Sequence, residues 1–276
     1  MTRRPSLAFM VAWLAASAGV WAGQGGPLDA RADGHPEVML LGEVHDNAAQ
    51  HALRLQAFKD LLATGARPAL LMEQLDRERQ GDIDRARAGT TRPDADGLIA
   101  AAAGSKQWNW AFYRPFIALA IANDLPVVAA NVSRRDAQRV IANGLADTGF
   151  DADVPLDILL AHAEQIENSH CGLIDNVTAK RMAAAQVARD QFMAQLVETH
   201  AARGVVLLAG NGHVQTGTGV PRWLSAPTRA RSMAWGFVEE GDDSNSRYDR
   251  VVTTPRQPRE DPCAGMRRSA PGFQKT

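Results

Sequence analysis

The chain has 276 residues, of which 45% are hydrophobic and 22% are charged, and its formal net charge at pH 7 is −1. This length supports one large domain or two small ones, and the apolar content excludes a natively disordered chain. The near-neutral charge and the absence of a basic stripe with interleaved aromatic residues argue against a nucleic-acid-binding surface.

The N-terminus has the organisation of a secretory signal peptide. Arg3 and Arg4 form a positive region, residues 7–18 are almost entirely apolar, and small residues precede a predicted cleavage after Ala22. The apolar stretch is short for a membrane span, and an uncleaved anchor is the alternative. No cysteine near the cleavage position offers lipoprotein attachment. We therefore expect a signal peptide over 1–22 and a periplasmic mature protein.

Short apolar runs alternate with helical patterns along the mature chain. The runs that predict strands are 38–41, 69–72, 125–130, 205–209, 231–237 and 248–252. The patterns that predict helices follow the first run up to Gly65 and then cover 77–87, 111–122 and 134–143. Residues 89–96 are rich in turn formers and predict a loop. The alternation indicates an α/β fold with a mainly parallel sheet flanked by helices.

The stretch from about 135 to 203 contains no convincing strand. It predicts further helices over 156–168 and 178–203, and we interpret it as a helical insertion that can form one wall of a pocket. The α/β domain is expected to cover 35–255. The segment 256–276 is rich in proline, glycine and charge, and predicts a disordered tail.

The chain has two cysteines, Cys171 and Cys263. An oxidising compartment allows them to form a disulfide. They are far apart in the sequence, so the sequence leaves open a disulfide or two free thiols.

Polar residues follow each of the first four apolar runs. They are Glu43 and His45, Glu73, Asn131, and Asn211 with His213. Ligands of open α/β sheets bind beyond the carboxyl ends of the strands, so the two carboxylates and the two imidazoles are expected to line one cavity. Such a set can bind a divalent metal or perform acid–base catalysis. Purely structural capping of the following helices is the alternative.

Two other catalytic or nucleotide-binding motifs are absent from the sequence. The segment 210–213 lacks the third glycine and the following helix of a dinucleotide-binding fingerprint. No Gly-x-Ser-x-Gly nucleophile elbow occurs. The glycines at 42, 210 and 212 instead allow backbone N–H groups to approach a bound group closely.

Several motifs taken in order resemble the ChaN-like haem-binding family. They are Leu41-Gly-Glu-Val-His-Asp46, Leu71-Met-Glu73, the block from Trp108 through Tyr113 to Asn131, His170-Cys-Gly172, Arg189-Asp-Gln-Phe-Met-Ala194, and Gly210-Asn-Gly-His-Val214 with Gly219-Val-Pro221. The resemblance covers about residues 37–255. It implies haem binding, a role in bacterial iron uptake, an outer-membrane receptor as partner, and a homodimer. It also implies kinship with the Tiki and erythromycin-esterase proteins, some of which are metal-dependent hydrolases.

The family's haem mode implies tyrosinate ligation of iron, with histidine and lysine contacts to the propionates. Only Tyr113 and Tyr248 can supply the phenolate. Tyr113 lies in the densest aromatic cluster of the chain, so we expect it to be the axial ligand with Tyr248 in reserve. The alternative for this cluster is ordinary core packing. His170 and Lys180 are further candidates for contacts with haem.

Three functional hypotheses remain open at this point. The first is an exported haem carrier or haem-sequestering protein. The second is a hydrolase, with or without a metal, that uses Glu43, His45, Glu73 and His213. The third is a scaffold that has lost both activities.

Overall fold

Six strands form one sheet in the computed structural model, which describes residues 37–261 and 263–264. The strands are β1 (Val38–Leu41), β2 (Ala69–Asp76), β3 (Val127–Asn131), β4 (Val205–Leu208), β5 (Ser232–Glu239) and β6 (Arg250–Thr254). Their order is β3-β2-β4-β1-β5-β6, and every neighbouring pair is parallel. The predicted signal peptide lies outside the described residues.

Helices cover both faces of the sheet. They are α1 (Ala48–Ala63), α2 (Gln80–Ala88), α3 (Ala95–Ala101), α4 (Trp110–Ala122), α5 (Arg134–Asn143), α6 (Leu156–Ser169), α7 (Asn176–His200), α8 (Val220–Trp223) and α9 (Ala226–Ala230). This arrangement confirms the α/β fold predicted from the alternation of apolar runs and helical patterns. Among the described residues, no helix combines the length and the apolar character that a membrane crossing requires.

Alternate residues of the central strands pack into different cores. Met39 and Leu41 of β1 face a core shared with α1 and α4, whereas Val38 and Leu40 face a core shared with the C-terminal part of α7. A strand buried on both faces has no polar alternation, which is why these strands were recognisable as continuous apolar runs.

The structure corrects several element boundaries. β2 continues to Asp76, beyond the predicted end at residue 72, because residues 73–75 remain buried. The sequence did not predict α3, which begins near the end of the predicted loop 89–96. Asp94 caps its first turn by accepting a hydrogen bond from the Gly97 amide at 2.8 Å. Its alanine-rich sequence gives little amphipathic signal. The helix predicted over 77–87 begins as a 3₁₀ turn at Arg77–Arg79 and continues as α2.

The connection from β3 to β4 consists of α5, α6 and α7 with their loops, and it contains no strand in residues 132–204, all of which the structure describes. α6 and the first half of α7 form a helical hairpin with its own small core. That core contains Ala163, Ile166, Ala179 and Ala183 and no residue of the sheet. Within the predicted helical insertion, this hairpin has a core of its own, whereas the second half of α7 packs against the sheet.

The described part of the segment after β6 is attached to the rest of the protein, whereas the sequence predicted a disordered tail there. Arg259 binds two carboxylates, with its Nη1 2.7 Å from Oε2 of Glu239 and its Nη2 2.7 Å from Oδ1 of Asp46. Cys263 forms a disulfide with Cys171. A composition typical of disorder does not reveal such anchors, because each depends on a partner remote in the sequence.

Candidate functional site

The carboxyl ends of the central strands open into a cavity of about 710 Å³. Glu43, His45, Glu73 and His213 all line it, together with Gly210, Asn211 and Gly212. Residues of α6 and α7 form the facing wall, and the loop after β5 contributes Tyr248. The strand-end groups therefore share one cavity, as the sequence pattern predicts for a parallel sheet. Their chemical roles remain predictions.

Glu43 is the most deeply engaged of the strand-end groups. Its Oε1 accepts a hydrogen bond from the Tyr113 hydroxyl at 2.5 Å and lies 2.7 Å from Nδ1 of His45. Its Oε2 forms an ion pair with Arg54, and both side chains are fully buried. The carboxylate is consequently held in place from three sides, and only His45 extends from it into the cavity.

Arg54 and His51 support this carboxylate from α1, and sequence reasoning did not single out either of them. His51 donates from Nε2 to the carbonyl oxygen of His45 at 3.0 Å, and its Nδ1 lies 3.4 Å from Nη1 of Arg54. Burial is the main cause that lowers the pKa of His51, so its neutral form is favoured. The available signal was the position of Arg54 on the same helix face as Phe58, Leu61 and Leu62, because a charge on a buried face requires a partner.

Glu73, in β2, faces His213 across the strand ends. Its Oε2 accepts a hydrogen bond from the Gly210 amide at 2.7 Å, and its Oε1 lies 3.5 Å from Nε2 of His213. Burial alone would raise the pKa of Glu73, but the His213 charge and hydrogen bond, the His45 charge and the Gly210 amide lower it to about 2. Glu73 is therefore an anion throughout the neutral range.

His213 lies between two carboxylates. Its Nδ1 is 2.6 Å from Oδ1 of Asp190, a fully buried residue of α7. Burial alone would lower the pKa of His213, but Asp190 and Glu73 raise it to about 10. The imidazole is therefore charged at neutral pH, and it belongs to a Glu73–His213–Asp190 chain of alternating charges.

Asp190 also faces a second imidazole. Its Oδ2 is 3.5 Å from Nε2 of His162 in α6, and neither of these two buried atoms has a hydrogen-bond partner in the described residues. His162 lines the cavity. Sequence reasoning quoted Asp190 only within a family motif and did not select His162, because no strand end or periodic pattern marks either residue.

Tyr113 occupies a different place from the one expected for an axial haem ligand. It is almost completely buried in α4, its hydroxyl donates to Glu43, and it does not line the cavity. Burial is the largest effect on its pKa and raises it above the ordinary value of 10. Its ring contacts Trp108, Trp110 and His51 edge-on. The aromatic cluster therefore packs as part of the core, which was the alternative interpretation.

Tyr248 lines the cavity from the segment before β6. Its ring lies directly against β5 at Gly236, where a Cβ atom would come within 2.3 Å of the ring. Burial is the main cause that raises the pKa of Tyr248, whereas the side chains of Ser244 and Gln215 and the charge of Arg247 lower it. Of the two tyrosines considered as iron ligands, Tyr248, the second choice from the sequence, is the one that lines the cavity.

His170 and Lys180 do not line the cavity. His170 ends α6, where its Nδ1 lies 2.8 Å from the carbonyl oxygen of Ile166. Lys180 is exposed on α7. The positive charges that do line the cavity, besides histidines, belong to Arg189 and Arg247.

The described residues contain no group of three or more histidine, cysteine, aspartate or glutamate side chains placed to hold a metal ion. The four residues considered for a divalent metal are divided between two networks. Glu43 is neutralised by Arg54, and His213 is directed to Asp190. This geometry does not support the divalent metal that the strand-end pattern suggested.

Gly42 and Gly210 lie against side chains of the site, whereas a Cβ atom at Gly212 would meet only Oε1 of Gln165, at 3.9 Å, so the expectation of close approach by a ligand stays open there. At Gly42, a Cβ atom would meet Oδ1 of Asn211 at 2.2 Å, and at Gly210 it would meet the ring of His45 at 3.0 Å. Asn211 uses its side chain to bind the backbone of Phe237 in β5, through Nδ2 at 2.6 Å and Oδ1 at 3.1 Å. Gly42 and Gly210 therefore make room for side chains of the site itself.

The protein is an α/β protein with an all-parallel sheet and a cavity, lined by carboxylates and histidines, at the carboxyl edge of that sheet. Residues 33–224 match the family described as haem-binding uptake, Tiki superfamily, ChaN, and the chain belongs to that family. This confirms the resemblance inferred from the sequence motifs. No curated protein gives a significant match to the chain.

ChaN of Campylobacter jejuni, described with cofacial haem binding, is a solved structure with the same fold. It is 20% identical, the match covers 78% of this chain and 86% of that chain, and the TM-score is 0.65. The type III effector HopBA1 is 13% identical, with coverages of 80% and 88% and a TM-score of 0.46. An erythromycin esterase mutant, EreC H289N, is 14% identical, with coverages of 87% and 81% and a TM-score of 0.41.

Proposed function

We propose that this protein binds haem in the cavity at the carboxyl edge of the sheet, with Tyr248 as the axial ligand. Two findings support the proposal: the chain belongs to a haem-binding family, and the C. jejuni relative with the same fold is described with cofacial haem binding. We choose Tyr248 because it lies in the cavity wall, whereas Tyr113 is buried in the core and does not line the cavity.

The donor set of the cavity fits ferric haem. A phenolate is a hard anionic ligand that suits ferric iron, and coordination supplies the charge that stabilises its ionised form. The cavity volume of about 710 Å³ lies within the usual range for cofactor-sized sites. Arg189 and Arg247 offer two guanidinium groups for two propionates. In this proposal these arginines take the place of His170 and Lys180.

The cavity wall also supports a homodimer. Its apolar members are few, with Val44 and Ile166 among them, so one face of a bound haem would lack an apolar cover. A second haem, held by a second copy of the chain, would supply that cover by stacking. We therefore propose that haem binding and dimerisation are coupled. Sedimentation of the mature protein with and without hemin tests this, because hemin should shift the monomer to a dimer.

The deciding experiment for haem binding is a spectroscopic titration of the purified mature protein with hemin. The expected result is saturable binding with a phenolate-to-iron charge-transfer band that Tyr248→Phe removes. Metal analysis of the same sample before titration tests for a bound divalent ion. Absence of saturable hemin binding would refute the proposal.

We further propose that the protein is exported and acts in haem or iron acquisition, with an outer-membrane receptor as its partner. The support is the signal-peptide organisation of residues 1–22 and the family's link to uptake. N-terminal sequencing of protein from a periplasmic fraction should find a start near Gly23. An intact Met1 on cytoplasmic protein would contradict the export proposal.

One observation favours hydrolysis as a second candidate function. The chain Glu73–His213–Asp190 places a charged imidazole between two carboxylates at the cavity. A positioned imidazolium can donate a proton to a leaving group, and an adjacent carboxylate can accept one from water. Turnover of a panel of ester and amide substrates should then be lost in His213→Gln and retained in Tyr248→Phe. Equal activity in both variants would contradict this role of His213.

A further inference from the structure

A covalent bond joins the helical wall of the cavity to the segment that follows β6. Ser169, at the end of α6, lines the cavity, and Cys171 follows two residues later. Cys171 forms a disulfide with Cys263, across a sequence separation of 92 residues, with their Cα atoms 5.6 Å apart. We call residues 255–261 together with Cys263 the C-terminal strap.

The other end of the strap is fixed to the sheet. Arg259 donates to both oxygens of Asp46, at 2.9 and 2.7 Å, and to both oxygens of Glu239, at 2.7 and 2.8 Å. Asp46 directly follows the cavity residue His45, and Glu239 ends β5. None of the described strap residues lines the cavity itself. The strap therefore runs beside the cavity and connects its sheet wall to its helical wall.

The hairpin formed by α6 and the first half of α7 packs mainly against other helices, and only the second half of α7 shares a core with strand residues. The hairpin has a small core of its own and shares a second core with α5, and neither of these cores includes a strand residue. Its polar ties to the sheet edge are a 3.3 Å hydrogen bond from Gln165 to Gln215 and the contacts of His162 with Asp190, which is itself held by His213. Because this layer is joined to the strands by so few direct contacts, it is expected to open locally at a lower free energy than the sheet.

We propose that this helical hairpin is a lid over the cavity, and that the Cys171–Cys263 disulfide latches it closed. The lid opens when thiol–disulfide exchange with a dithiol breaks the bond between the two sulfurs. The cysteines then gain two electrons and two protons and become thiols, and the dithiol is oxidised to its own disulfide. The open lid exposes the cavity and allows its ligand to exchange.

The backbone at the latch turns sharply where α6 ends. Cys171 has a φ angle of 61° and Gly172 has a φ angle of 67°. A left-handed cysteine is uncommon and carries a conformational cost that surrounding structure has to offset. The amides of Cys171 and Gly172 donate to the carbonyl oxygens of Asn168 and Glu167, and the disulfide adds a covalent link from this turn to the C-terminal strap.

Hydrogen exchange of the full mature protein tests the lid without any ligand. Reduction with dithiothreitol, verified by counting two free thiols, should increase exchange of amides in 156–180 at least tenfold and leave those of β1 and β4 unchanged. Cys263→Ser should reproduce this result and should not respond to dithiothreitol. Unchanged exchange in 156–180 after verified reduction would overturn the proposal. An equal increase in the sheet would also overturn it, because the disulfide would then act on global stability alone.

The effect on ligand exchange rests on the proposed haem function and is measured separately. Hemin should leave the reduced protein several-fold faster than the oxidised protein, with the Cys263→Ser variant matching the reduced form. If the oxidised protein does not bind hemin, the proposed function fails, and the hydrogen-exchange result still decides the lid. If hemin binds and its release rate does not respond to reduction, the coupling of the lid to the cavity is refuted.

Discussion

Oδ1 of Asp190 lies 2.6 Å from Nδ1 of His213, so a carboxylate in the interior of α7 orients an imidazole that follows β4. The two residues are 23 positions apart, and they join the helical wall of the cavity to the sheet edge. Because Asp190 is fully buried, its charge is balanced mainly by this imidazole. The pair therefore contributes both to the chemistry of the cavity and to the stability of its walls.

Asp190→Asn should weaken the dependence of stability on pH. Against the effect of burial, Asp190 and Glu73 raise the pKa of His213 from 6.5 to about 10. When folding raises the pKa of a group, that group stabilises the protein fully at pH values below its pKa in the unfolded chain, here about 6.5. The stabilisation is then lost as the pH rises toward the folded-state pKa of about 10. Urea unfolding between pH 6 and 10 should show a shallower decline in the variant, with a loss of about 3 kcal/mol at pH 6.5.

The exposed Asp153 provides a matched control for that experiment. Asp153→Asn changes the same functional group away from any histidine of the site, and it should leave the slope of stability against pH unchanged. An Asp190→Asn slope equal to that of the original protein would show that His213 does not hold its proton through this pair.

Tyr248→Phe and Tyr113→Phe should have opposite effects on the ferric haem spectrum. Tyr248→Phe should remove the charge-transfer band, because it removes the phenolate at the cavity. Tyr113→Phe should retain the band and destabilise the protein by about 1–3 kcal/mol, since Glu43 loses a buried hydrogen bond. Sequence alone favoured the reverse order. Retention of the band in both single variants would rule out tyrosinate ligation.

Gly236→Ala should disturb the site through Tyr248. The new methyl group would lie within 2.3 Å of the Tyr248 ring, so the ring has to move away from β5. We expect a destabilisation of about 1–3 kcal/mol and weaker hemin binding. Gly217→Ala is the control, because a Cβ atom there meets nothing within 4 Å. Thermal unfolding and hemin titration of both variants provide the comparison, and equal behaviour would contradict this role of Gly236.

Arg54→Met should be among the most destabilising single substitutions in the protein. It removes the buried partner of the Glu43 carboxylate and leaves an uncompensated charge under the cavity, at a cost of about 3–5 kcal/mol. Adding Glu43→Gln to Arg54→Met should recover part of this loss, because the buried charge is then absent. Urea unfolding of the two variants measures both effects. No recovery in the double variant would mean that Arg54 acts through packing alone.

The sequence predicted the sheet and the position of its polar edge well, for a physical reason. Strands buried on both faces must be apolar throughout, so β1, β2, β3 and β4 each produced a continuous run that ended at a polar residue. Parallel strands bring their carboxyl ends to one edge, which is why Glu43 and His213 could be assigned to a common cavity. Boundaries were less certain, because burial continues past the apolar run in β2.

Side-chain partners on helices could not be read in the same way. His162, Asp190 and Arg54 lie within helices whose patterns report only which face is buried, and their partners are distant along the chain. The choice between Tyr113 and Tyr248 depended on the depth at which each ring is buried. Aromatic density favoured Tyr113, which the structure buries in the core, because clusters of large rings usually form cores.

By itself, the sequence determined the α/β class, the family and the edge of the sheet at which polar residues meet, because these follow from local hydrophobicity and from ordered motifs. Only the tertiary structure decided that Glu43 is neutralised by Arg54, that Tyr248 reaches the cavity, and that Cys171 and Cys263 are bonded. Each of these depends on distances of a few ångströms between residues remote in the sequence. Such distances are set by how the layers pack, and a linear pattern of residue types does not contain them.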